Sequence, residues 1–140
     1  MVYFHTATQK TETKALVDSG ATENFVSPTL LDKLGVKPRK LLQPIDISTV
    51  DGSEHKDGQL TEYCWLKVNL GKRTTLMVFL VAALGSDHLI LGYPFLYTFN
   101  PRIDWRKGIF EEGKVQLTST HQQNRKGSGH EILKMQREAI

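Results

Sequence analysis

A chain of 140 residues with 39% apolar side chains can build one domain with a modest core, and no apolar run reaches the length that crosses a bilayer as a helix. Its 18 basic and 15 acidic residues leave a formal charge of +3 and are interspersed rather than blocked, so composition gives no sign of a specific nucleic-acid surface. The single cysteine, Cys64, cannot close an internal disulfide, and the N-terminus lacks a basic-then-apolar leader pattern, so the expected compartment is the reducing cytoplasm.

Met1 to Phe4 and Thr13 to Val17 predict two strands joined by the polar segment His5 to Glu12. The second run, Ala15-Leu16-Val17, delivers one acid, Asp18, to a turn at Ser19-Gly20, and Ala21-Thr22-Glu23 leads on to the extended Asn24-Phe25-Val26. Gly20 admits a tight turn there, which lets the carboxylate point into open space. Ser27 then reads as a helix N-cap, Pro28 as the first helical residue and Gly35 as a stop, with Leu30, Leu31 and Leu34 on one face. The spacing predicts a short helix over 28–34 that packs on the sheet.

Lys37 to Lys40, with Pro38, reads as an exposed connector. Ile45, Ile47 and Thr49 alternate with Asp46, Ser48 and Val50, a strand pattern with one wet face. The polar run Asp51 to Gly58 follows, then a strand over Leu60 to Leu70, which together make a long hairpin. Gly71-Lys72-Arg73 turns the chain into an answering strand, Thr75 to Ala82. Cys64 has no His, Cys or acid at a metal-ligand spacing, so it reads as a buried structural thiol and no metal site is expected.

After a turn at Leu84 to Asp87, Leu89-Ile90-Leu91 forms an apolar strand ending in Gly92, 72 positions beyond Gly20. Two apolar strands ending in glycine, far apart in sequence, suggest a pair that crosses beneath one site. Tyr93 to Phe99 predicts a short helix with Pro94 in its first turn, closed by Asn100-Pro101. Ile103, Trp105, Ile109 and Phe110 suggest a last hairpin turning at Arg106-Lys107-Gly108. From Thr118 to Gly129 the chain has too little apolar surface to offset the entropy of ordering it, so a linker is expected before a short helical pattern in the last eleven residues.

Three blocks in this order, Ala15 to Val26 around Asp18-Ser19-Gly20-Ala21-Thr22, then Leu89 to Leu96, then Asn100 to Trp105, resemble the single-lobed retropepsin-like aspartic proteases of retroviruses and gypsy-type LTR retrotransposons. The last block looks more like the retrotransposon branch. The resemblance covers residues 1–117 and implies a mostly β, single-lobed acid-protease barrel with one or two short helices, 118–140 being a polar tail toward the next polyprotein segment. It implies Asp18 as the catalytic acid, with Ser19, Gly20, Ala21 and Thr22 supporting it and Leu91 and Gly92 supporting from the second strand. Val50, Asp51, Gly52 and Ser53 match the position of the flap over bound peptide, and Leu16, Val50 and Leu91 are expected as wall residues. No cofactor is implied, and the setting is the cytoplasm or a virus-like particle.

An aspartic protease of the kind this resemblance implies needs two carboxylates facing one water, whereas only one Asp-Ser-Gly occurs here. A chain of this kind carries half a site, so the expected functional unit is a two-fold homodimer acting on extended polypeptide, its own polyprotein included. Asp104 is the rival partner for Asp18 within one chain, but no Ser-Gly or Thr-Gly turn follows it to orient its carboxylate, so a structural contact at a strand end is expected. A different class of function stays open: a non-catalytic dimerisation or peptide-binding module derived from a retroelement protease. Neither a membrane nor a specific nucleic-acid partner is expected.

Overall fold

The computed structural model describes residues 2–8, 12–46 and 58–120. Strands β1 (Val2–Thr8) and β2 (Glu12–Val17) pair antiparallel, Val2 opposite Val17 and Ala7 opposite Glu12. The polar stretch from His5 to Thr8 is therefore strand rather than connector. The ladder satisfies backbone groups whatever the side chains are, so pairing continues past the apolar residues that announce it.

β2 runs parallel to β7 (Leu89–Leu91), whose other edge takes β3 (Asn24–Val26) antiparallel. β3 lies parallel to β6 (Arg73–Val81), and β6 pairs antiparallel with β5 (Gln59–Leu70). Finally β10 (Val115–Thr118) bonds on one side to β1, at Thr6 to Thr8, and on the other to β5, at Lys67 to Asn69. The sheet thus closes into a barrel. β4 (Arg39–Asp46) lines the remaining part of β5, and β8 (Ile103–Asp104) with β9 (Ile109–Phe110) forms a separate hairpin.

β5 and β6 are buried on both faces, which explains why they read as nearly continuous apolar runs. Cys64, Leu66, Val68 and Leu70 of β5, with Met77, Phe79 and Val81 of β6, fill the main core together with Leu89 and Leu91. The alternate residues, Tyr63, Trp65, Val78 and Leu80, join Ala21, Phe25, Leu41, Ile45 and Leu60 in a second cluster on the opposite face. Burial pushes the Cys64 thiol up to about 12, as expected for a structural cysteine in apolar surroundings.

The two helices fall where the capping signals put them. α1 (Pro28–Leu34) starts at Ser27, whose Oγ accepts the Leu30 N–H at 3.1 Å, and ends at Gly35 with φ 70°. Leu30, Leu31 and Leu34 are buried. Ser27 also ties α1 to the approach to β7, its N–H donating to the His88 carbonyl and its Oγ lying 2.9 Å from His88 Nδ1. α2 (Tyr93–Phe99) ends at Asn100, φ 40°, whose N–H donates to the Leu96 carbonyl. The Asp104 carboxylate caps the turn that follows it, accepting the Arg106 and Lys107 N–H groups, a structural contact at a strand end.

Two further elements differ from expectation. β4 begins at Arg39, inside the segment expected to be a connector, because β5 is long enough to hold a further strand along its first half. The register slips between Lys40 and Ile45, and Pro44 is accommodated because β4 pairs on one side only. β10 had no counterpart in the reading of the sequence. Residues 47–57, which carry Ile47, Thr49 and the flap positions Val50, Asp51, Gly52 and Ser53, lie outside the described residues, as does the tail from 121 onward.

Candidate active site

β7 is the post around which the site is built. The chain leaves β2 on one side of β7 at Val17, opposite Leu91, and re-enters as β3 on the other side, with Phe25 opposite Ile90. Residues 18–23 must therefore cross the end of β7, where Gly92 sits. The crossing is close enough that a Cβ at Gly92 would overlap the Glu23 carbonyl oxygen and come within 2.8 Å of the Ala21 carbonyl oxygen. Gly92 has φ −93° and ψ −163°, a backbone any residue adopts, so contact rather than conformation demands glycine here.

Four hydrogen bonds fasten this crossing. The Asp18 N–H donates to the Leu91 carbonyl at 3.1 Å, and the Ala21 N–H to the Asp18 carbonyl at 3.1 Å. The Tyr93 N–H donates to the Ala21 carbonyl at 2.8 Å, and the Gly92 N–H to Asn24 Oδ1 at 2.9 Å. The Asn24 side chain is buried, its Nδ2 lying 4.0 Å from Met77 Sδ. Asn24 is thus a positioning residue that the sequence reading passed over as one more strand residue. A wholly polar amide between Glu23 and Phe25, at the start of a strand, was the available signal, since a buried Asn is retained where it satisfies a backbone group.

At the tip of the crossing Asp18 is half-buried, and its Oδ1 accepts the Gly20 N–H at 2.9 Å. That two-residue ring fixes the carboxylate on the rim of the barrel, beside the exposed Ser19, Gly20 and Thr22. Ala21 turns inward and packs in the second cluster, against which the partly buried Ile90 and Leu84 also lie. Leu91 supports the site through its carbonyl, but its side chain is fully buried in the main core and lines no wall. Leu16 is likewise buried. The alternation of β7 explains the correction: with Leu91 pointing inward, the neighbour that faces the second cluster is Ile90.

One carboxylate held in this way can serve as an acid or as a base, but not as both in one step. Among the described residues no group of three or more His, Cys, Asp or Glu side chains is placed to hold a metal ion.

A family model described as the PEG10/RTL1 protease domain matches residues 14–123, a range that begins within β2 and takes in the crossing, β7 and the closing strand β10. The chain belongs to that family. The retropepsin-like protease domain read from the three sequence blocks is thereby borne out. The crystal structure of the retroviral protease-like domain of Ddi1 from Leishmania major aligns with a TM-score of 0.53 at 19% identity, covering 84% of this chain and 92% of that one, a likeness of fold. No curated protein matches this protease domain in sequence.

Proposed function

We propose that this domain is an aspartic endopeptidase whose site is completed by a second copy of the chain. The observation that carries the reading is Asp18 itself, an acid half-exposed on the rim, oriented by the Gly20 N–H and bolted to β7, while Asp104, whose carboxylate holds a similar turn, belongs to the separate β8–β9 hairpin. A two-fold axis beside the Ser19-Gly20 turn would bring two such acids face to face. Two like charges at that distance are not both sustained, so the pair carries one proton between them. The ionised member takes a proton from water, which attacks the scissile carbonyl, while the protonated member donates to the oxygen on which charge develops.

Substrate fits this scheme as an extended strand laid over the paired loops, alternate side chains entering pockets formed on the Ala21 and Ile90 side. Polypeptide from the same polyprotein is the natural candidate. The test is cleavage of peptides spanning the junctions that flank this domain, with Asp18→Asn as the control. Cleavage by the parent, absent in the variant at unchanged far-UV circular dichroism and blocked by a statine peptide that mimics the tetrahedral species, is the expected result. Cleavage that survives the Asn substitution would remove the assignment.

A further inference from the structure

α2 divides its aromatic residues sharply between two faces. Phe95 and Phe99 are 0% and 1% exposed and pack into the core, where Phe95 also meets Phe110. Tyr93 and Tyr97, one turn apart on the other face, are 46% and 49% exposed, and their rings lie 5.9 Å apart in a tilted pair. Two large rings held against each other in the open have already lost much of the freedom that docking would cost them.

The position of this pair is set by the site. The Tyr93 N–H donates to the Ala21 carbonyl, and the Leu96 N–H closes the first helical turn on Gly92, so the first residue of the helix is hydrogen-bonded to the loop that carries Asp18. Because Ala21, three residues from Asp18, holds the Tyr93 N–H, pairing two Asp18 loops carries the starts of two α2 helices along with them. An isologous contact sets each surface against its own copy, so charged faces repel unless they pair. The α2 sequence, Tyr-Pro-Phe-Leu-Tyr-Thr-Phe, contains no Asp, Glu, Lys, Arg or His. Its outer face offers apolar ring surface with a hydroxyl at the edge, the composition enriched at the centres of protein interfaces.

We infer that the Tyr93–Tyr97 face of α2 is part of the surface through which two copies of this chain meet, the rings of each packing against the other beside the Asp18 loops. This inference rests on the two-copy reading of the site and names what holds the copies together. The C-terminal strand of the barrel is in keeping with it: β10 is hydrogen-bonded to β1 and β5 within one chain, so over that ladder it has no edge left for a partner.

The test is sedimentation of the parent and of the double variant Tyr93→Ser/Tyr97→Ser, with peptide cleavage measured over the same concentration range. The expected result is a parent dimer, a variant dimer weakened at least tenfold, and cleavage by the variant that returns when its concentration is raised. A variant that dimerises as tightly as the parent overturns the inference and leaves the protease reading standing. A parent that stays monomeric at every concentration overturns both. Tyr97→Cys supplies a readout independent of truncation, because the only native thiol, Cys64, is buried. A short bis-maleimide should then link two chains through position 97, and failure to link them in a sample that sediments as a dimer also overturns the inference.

Discussion

Gly92→Ala tests the idea that β7 is the post of the site. The added methyl overlaps the Glu23 carbonyl oxygen and lies 2.8 Å from the Ala21 carbonyl oxygen and 2.9 Å from the Glu23 carbonyl carbon, all backbone atoms that no rotamer change can move. Relief requires residues 21–23 to lift by roughly 1 Å, the gap between overlap and ordinary contact. Overpacking of this kind costs about 1–3 kcal/mol. The same shift stretches the Tyr93 to Ala21 and Gly92 to Asn24 hydrogen bonds, each contributing ~1 kcal/mol. The expected loss is therefore about 3–5 kcal/mol, or a fall in Tm of more than ~10 °C, measured by denaturant and thermal unfolding at fixed chain concentration. A Gly92→Ala protein within ~1 kcal/mol of the parent would refute the crossing as the structural pivot.

Gly20→Ala should separate stability from activity: its Cβ would meet only Asp18 Oδ1, at 3.2 Å, so unfolding should change by less than ~1 kcal/mol while kcat/KM falls at least ~10-fold as the carboxylate is pushed aside. Ser27→Ala removes the N-cap of α1 and its contact with His88 together, and should cost ~1–2 kcal/mol in denaturant unfolding. The raised Cys64 thiol predicts a pH effect: the folded form stays protonated from 9.0 to about 12 while the unfolded form ionises, so the stability it contributes is intact below pH 9.0 and declines as pH rises toward 12. At ~1.4 kcal/mol per pH unit, Cys64→Ala should lose stability less steeply than the parent over that window, and parallel slopes would count against the burial argument.

The elements legible in the sequence were those whose signals are local. Ser27, Pro28 and Gly35 bounded α1 because a cap, a fixed φ and a left-handed stop each act within one turn. Asp18-Ser19-Gly20 and the Gly92 strand end marked the crossing because a close backbone approach leaves glycine in the sequence. The part of β4 before Ile45 escaped because its buried residues, Leu41 and Ile45, are four apart across a register slip, a spacing that mimics neither a regular strand nor its connector. β10 escaped because four residues with Val115 and Leu117 inward become a strand only through partners more than forty positions away. Asn24 was invisible for a related reason: its role lies in a bond to Gly92, at the end of a strand that sequence spacing alone does not bring alongside.

The central claim is that each chain contributes one of two required acids, and subunit mixing tests it most directly. Parent and Asp18→Asn chains are combined in equal amounts, at a total concentration where the protein is paired and after time for exchange, and initial cleavage rates are compared with the parent alone at the same total. Random pairing leaves about a quarter of the pairs with two acids, so the account predicts about a quarter of the parent rate. A rate of about one half, the value for chains that each act alone, would contradict it.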